Sequence, residues 1–134
     1  DHFGRNIAAM IREATNIEYT GELTQDDVNC LLEKSDIFIN TSASEGFPNT
    51  FIQAAKYSAA ILSLNVNPDS FLEKYSCGIH AKGDMVQMVD SLTQMLLENR
   101  YVDMGVNSRK YVEKCHDITA IVQQYKKLFG VIAK

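Results

Sequence analysis

The stretch Thr41-Ser-Ala-Ser-Glu-Gly-Phe-Pro-Asn-Thr50 gathers hydroxyls, a carboxylate, a glycine and a proline directly ahead of an apolar helical pattern. The first turn of a helix leaves backbone N–H groups unpaired, and the helix dipole favours an anion there. Asn49 and Thr50 therefore offer N–H groups to a diphosphate, and Gly46 permits close backbone approach and a positive φ. Glu45 would repel such an anion. Its chemistry is instead to accept hydrogen bonds from sugar hydroxyls or to balance positive charge in a transition state. Gln53, one turn into the helix, is spaced to bond a ribose hydroxyl. A capped helix after a polar turn has the same composition, so periodicity alone leaves both readings open.

The elements that must position this loop follow from hydrophobic periodicity. Ile7, Met10, Ile11 and Ala14 predict an amphipathic helix over about 4–15, and Asn16–Thr20 reads as a short strand ended by Gly21. Thr24 can cap a helix carrying Val28, Leu31 and Leu32. Asp36–Asn40 and Ala60–Leu64 are short apolar runs typical of strands buried on both faces of a parallel sheet, and Gly78–Ala81 is a brief third run. A helix through Phe51, Ile52, Ala54 and Ala55 to about Tyr57 follows the loop, and Pro68 and Asp69 open another. Asp84 and Gln87 form a capping box. It opens a long helix expected to turn Met85, Met88, Val89, Leu92, Met95 and Leu96 inward; helices over about 101–115 and 118–130 close the chain. Strand alternating with helix gives an α/β fold, a Rossmann-like parallel sheet with helices on both faces. Three loops leave strand carboxyl ends, Gly21–Thr24, Thr41–Thr50 and Asn65–Asp69, and ligands of open α/β sheets bind there.

At 134 residues and a formal charge of −4, the chain is one domain with a real core. It has no Lys/Arg cluster of the kind that neutralises a nucleic-acid backbone, so no nucleic-acid partner is expected. Cys30, Cys77 and Cys115 form no CxxC pair, which argues against a zinc site or disulfide framework and for reduced thiols in a cytoplasmic compartment. His2, His80 and His116 are scattered and read as surface or hydrogen-bonded side chains, with His80, at a strand end, facing the cleft as the alternative. Lys126 and Lys127 read as a solvated helix face, with contact to an anionic membrane surface as the alternative.

The segment Ser35-Asp-Ile-Phe-Ile-Asn-Thr-Ser-Ala-Ser-Glu-Gly-Phe-Pro-Asn-Thr-Phe-Ile-Gln-Ala-Ala55 resembles the donor-binding pattern of retaining GT-B glycosyltransferases, especially the large family 4, the group 1 glycosyl transferases. Tyr19-Thr-Gly-Glu-Leu23 is similar to the turn that precedes this pattern in the family, and Gly78-Ile-His-Ala-Lys-Gly-Asp84 to the strand and turn that follow it. The match runs over about 16–130. The resemblance implies the C-terminal half of a GT-B fold, incomplete here, as a single nucleotide-sugar-binding domain over 1–134. The donor is a UDP- or GDP-sugar, with no metal ion and no other cofactor. Glu45 matches the catalytic-site glutamate beside the donor sugar. Gly46, Phe47, Pro48, Asn49 and Thr50 match the loop and helix start that hold sugar and diphosphate. Leu23 matches the residue against the base, and Gln53 stands where the family's ribose-binding glutamate is. Retention in this fold is assigned to a front-face mechanism assisted by the donor's own diphosphate, with Glu45 positioning the sugar.

Several positions depart from the pattern. Gln53 keeps an acceptor but loses the charge that strengthens a hydrogen bond. Ser58, Ala60, Asn67 and Pro68 replace residues that are usually glycine or proline. The family's phosphate-contacting arginine and lysine have no match here, Arg5 included. The expectation is a fragment of a two-domain hexosyltransferase, inactive by itself, whose acceptor-binding N-terminal domain lies elsewhere. The acceptor is a glycan or a lipid-linked glycan, as in polysaccharide biosynthesis, and peripheral attachment of the intact enzyme to the inner membrane face stays open. The alternative is a non-catalytic nucleotide-binding or scaffold module; a nucleotide-sugar epimerase of the same fold is a third reading, without support around Glu45.

Overall fold

A computed structural model of the chain describes residues 10–11 and 13–132. In chain order, α1 (Gln25–Glu33) leads to β1 (Ile37–Asn40), α2 (Asn49–Lys56) and β2 (Ala60–Ser63). A 3-10 turn (Pro68–Ser70) and α3 (Phe71–Lys74) connect to β3 (Gly78–His80), and α4 (Met85–Leu97), α5 (Arg100–Cys115) and α6 (Ile118–Ile132) follow. The strands are parallel in the order β1-β2-β3, with Ile37 opposite Ala60 and Ile61 opposite Gly78. Adding each strand on the same side of the last is the arrangement of one half of a doubly wound sheet. The α/β, Rossmann-like expectation holds.

Strand β2 explains why the sheet is a core. All four of its residues are buried, and they point alternately into two clusters. Ile61 packs with Phe51, Phe71, Leu72, Cys77 and Tyr111 on one face. Ala60 and Leu62 pack with Ala81, Met88 and Met95 on the other. A strand covered on both sides must be apolar or have its polar groups paired: Ala60, Ile61 and Leu62 are apolar, and the Ser63 hydroxyl accepts from the Val66 N–H at 3.2 Å. Helix α1 joins at the edge, where Leu32 meets Ala54 and Ala59. Thr24 caps it, its hydroxyl accepting from the Asp27 N–H at 3.3 Å.

Helix α5 serves both faces. Tyr101 and Met104 at its start touch the Met88–Met95 cluster, whereas Tyr111, farther along, belongs to the other. It crosses beneath the amino end of the sheet at Gly105, where a Cβ would stand 2.1 Å from the Ser58 carbonyl oxygen. Ser108, fully buried, donates its hydroxyl to the Cys77 carbonyl at 3.1 Å and fixes the crossing.

Two expectations need correction, and a third lies mostly outside the described residues. Asn16–Thr20 forms no strand: its apolar residues Ile17 and Tyr19 are 55% and 76% exposed, and an extended segment without a neighbour has nothing to ladder with. The strands therefore number three among the described residues. Helix α4 buries a narrower stripe than its sequence offers, Met88 and Met95 with Leu92 packed beside them, while Met85, Val89 and Leu96 are exposed. Among the described residues the sheet beneath is three strands wide, and Met85 and Val89 border an open apolar hollow with Ile39 and Leu62 rather than being covered. The helix expected over 4–15 falls mostly outside the described residues, as do His2 and Arg5; Met10, Ile11 and Glu13 are helical.

Ser58 shows what one of the family departures does. It follows α2 with φ 62°, and its N–H bonds the Ala55 carbonyl at 3.1 Å. This is the left-handed helix terminator that glycine adopts without strain. Ser58→Gly is therefore expected to stabilise the fold by about 1 kcal/mol, measured by urea denaturation; a loss of stability would show that the serine side chain outweighs the backbone strain.

Candidate functional site

The Thr41–Thr50 loop leaves the carboxyl end of β1, and two asparagines hold it. Asn40, 7% exposed, accepts from the Ser42 N–H at 3.1 Å through Oδ1, and its Nδ2 lies 3.4 Å from both Ser42 Oγ and Glu45 Oε1. Asn65, just past β2, donates Nδ2 to the Ser42 carbonyl at 3.0 Å. The first half of the loop is thus pinned to two neighbouring strand ends. Sequence reasoning missed both residues. The signal was present: each is a polar residue ending an apolar run, where a side-chain amide can fold back onto a turning backbone.

The second half of the loop is anchored by apolar packing. Pro48 is buried and starts α2 with φ −65° and ψ 123°. The Phe47 ring lies 5.3 Å from that of Phe71 and 6.0 Å from His116, centroid to centroid. Tyr111 stands behind both, 5.4 Å from Phe71 and 5.1 Å from His116. The Tyr111 hydroxyl and His116 Nε2 are 2.9 Å apart. Burial pushes the Tyr111 phenol up to about 12 and the His116 imidazole below its ordinary value. Both shifts favour the uncharged forms, so a neutral hydrogen-bonded pair supports the loop from below. Neither residue was among the sequence candidates, because α5 brings them from more than sixty positions away.

At the start of α2 no side chain among the described residues caps the free N–H groups. Asn49 and Thr50 are exposed there, while the Phe51 N–H already bonds the Pro48 carbonyl at 3.0 Å. Glu45 and Gly46 are also exposed, and Gln53 is half-buried one turn along. The arrangement is a carboxylate, an open helix start and an amide within nine consecutive residues, Glu45 to Gln53. Chemically it offers N–H donors to an anion and a carboxylate beside it for hydroxyl groups.

Gly46 differs from expectation. Positive-φ glycines among the described residues are Gly21 and Gly83, not Gly46. A Cβ at Gly46 would meet nothing within 4 Å. The conformation does not require glycine; what the residue contributes is open space above the loop. Leu23 stands apart from the loop. It lines a hollow of about 220 Å³ with Thr20, Asp27, Cys30, Leu31 and Lys34, against α1, and no residue of Thr41–Thr50 borders it. His80, at the carboxyl end of β3, is half-buried, and its Nε2 is enclosed without a hydrogen-bond partner among the described residues, unlike the hydrogen-bonded side chain expected.

The cysteines are free, Cys30 exposed, Cys115 half-buried and Cys77 buried, with burial pushing the Cys77 thiol up to about 11. Among the described residues no helix is long and apolar enough to cross a membrane.

No solved structure matches the chain. The family model described as glycosyl transferases group 1 matches residues 3–98, a span that holds the whole loop, α2 and all three strands. That match covers well over half of the sequence and ends just past α4, so the chain belongs to the group 1 glycosyl transferases, a family whose general chemistry is glycosyl transfer.

Proposed function

We propose that the chain is the donor-binding, C-terminal Rossmann-like domain of a retaining GT-B enzyme, moving a hexosyl group from a nucleotide sugar to a glycan or lipid-linked acceptor without a metal ion. One observation carries this reading: the start of α2, which no side chain caps among the described residues, sits in sequence between Glu45 and Gln53 at the end of a loop whose first half Asn40 and Asn65 hold at Ser42. Fixed N–H donors at a helix start suit the diphosphate of the donor. Glu45 then meets the sugar, where a carboxylate accepts hydroxyl hydrogens and faces positive charge developing at the anomeric carbon. Gln53 bonds the ribose, and the hollow at Leu23 takes the base. An acceptor-binding domain completes the cleft and excludes water, with the transfer taking place in the cytoplasm or at the inner membrane face.

The experiment is an amide NMR titration of the chain with UDP, GDP and several UDP-sugars. Saturable shifts are expected at Leu23, Gly46–Thr50 and Gln53, and the preferred nucleotide identifies the base. Shifts confined to other residues would end the assignment of these positions. The alternative of a non-catalytic nucleotide-binding or scaffold module draws on the neutral Gln53. Gln53→Glu restores a charge-assisted bond to the ribose, so tighter binding together with a gain in turnover in the intact protein favours an enzyme, and turnover from neither form favours the scaffold.

A further inference from the structure

Lys74 ends α3, and Lys110 and Lys114 lie one turn apart on α5. Together with Tyr75, Tyr111 and Asn107 they line one hollow of about 330 Å³. None of the residues lining it is acidic, and none comes from the Thr41–Thr50 loop. Among the described residues the ion pairs are Arg100–Glu98 and Arg109–Glu113, so none of the three lysines is in an ion pair, although Glu73 and Glu113 adjoin Lys74 and Lys114 in sequence. In a chain of net charge −4, the charged side chains that line this hollow are all positive. Like charges gathered around one small space repel, and an anion placed between them removes that repulsion.

The helix dipole accounts for one of the three. Lys114 is in the last turn of α5, where a cation is favoured in any case. Lys110 lies a turn earlier, and Lys74 comes from another element. The walls are also fixed. Lys74 Nζ sits 5.4 Å from the Tyr75 ring centroid, and the Tyr75 and Tyr111 rings are 4.5 Å apart. Asn107 Nδ2 donates to the Ser76 carbonyl at 3.2 Å, tying α5 to the turn before β3.

We propose that this hollow is a second anion site, binding a phosphomonoester or diphosphate group through Lys74, Lys110 and Lys114, with the tyrosine rings against the organic part of the ligand. Its volume is at the lower end of small-molecule sites, about 300 to 1,000 Å³. That fits a phosphate-bearing group with a small body. Aromatic faces suit an apolar carbon surface next to the charge.

The test titrates the 134-residue chain with inorganic pyrophosphate at low salt, following backbone amides. Saturable shifts are expected at Lys74–Ser76 and Asn107–Lys114. Lys110→Glu/Lys114→Glu should weaken that response by about tenfold or more and leave any response at Gly46–Thr50 unchanged. Lys110→Gln/Lys114→Gln should weaken it less, which separates charge from altered folding. Sedimentation with phosphatidylcholine vesicles, with and without phosphatidic acid, identifies the source. Acid-dependent sedimentation lost in the glutamate variant assigns a lipid headgroup; saturable pyrophosphate binding without sedimentation assigns a soluble phosphate compound. Shifts that never saturate, or that persist unchanged in the glutamate variant, overturn the proposal.

Discussion

Gly78→Ala is expected to cost about 3 kcal/mol or more of folding stability, enough to leave a domain of ordinary stability partly unfolded. The added Cβ would stand 1.9 Å from the Ile61 carbonyl oxygen and 2.8 Å from its carbon. Neither partner has room to move. Ile61 is fully buried in β2, its N–H bonds the Cys77 carbonyl at 3.1 Å, and Gly78 is its register partner in β3. Relief requires opening the ladder that carries β3. Gly105→Ala should behave similarly for a different reason. Alanine is the better helix former by about 1 kcal/mol, but its Cβ would meet the Ser58 oxygen at 2.1 Å. Withdrawing α5 to make room strains the buried Ser108 bond to Cys77 and the Tyr111 packing. Gly46→Ala is the control, since nothing lies within 4 Å, and it should change stability by no more than about 0.5 kcal/mol. Urea unfolding of the three variants checks the ordering; equal stability of the Gly78 and Gly46 variants would refute the close-approach argument.

These glycines mark where the sequence is readable and where it is not. The runs at Ile37, Ala60 and Gly78 declared parallel strands through their apolar content, but only β2 is buried throughout: Ile39 of β1 is 46% exposed, so an apolar run does not by itself show that both faces are covered. The helices declared themselves through caps such as Thr24 and Asp84, and Asp84 does accept from the Val86 and Gln87 N–H groups at 2.8 and 3.1 Å. Asn16–Thr20 shows the limit: β propensity is local, but a strand exists only where a neighbour completes its hydrogen bonds. The exposed Met85, Val89 and Leu96 show a second limit, since periodicity gives the direction of an apolar stripe and not the width of what it covers. In the candidate site, the residues contiguous from Glu45 to Gln53 were legible because a helix start has a local chemistry. Their supports were not. Asn65 and His116 reach the loop through tertiary contacts that no spacing rule encodes.

Glu45→Ala should lower turnover of the intact transferase by about a hundredfold while leaving the melting transition almost unchanged. The stability half of that expectation follows from position. Glu45 is exposed, and its contact with the Asn40 amide is a long one at 3.4 Å, so little of the fold depends on it. The turnover half follows from charge. On the proposed reading, a carboxylate beside a bound diphosphate weakens ground-state binding of a dianionic donor, so its benefit must arise later, when the sugar acquires positive character and the diphosphate begins to leave. An interaction realised only in the transition state raises turnover without tightening substrate binding. The loss should therefore fall on kcat, with KM for the donor unchanged or lower. Glu45→Gln refines the point: it keeps the hydrogen-bonding shape without the charge, so a loss close to that of alanine assigns the effect to electrostatics, and substantial recovery assigns it to holding a sugar hydroxyl. Unchanged kcat in both variants would remove Glu45 from the chemistry and leave the open start of α2 as a binding feature alone.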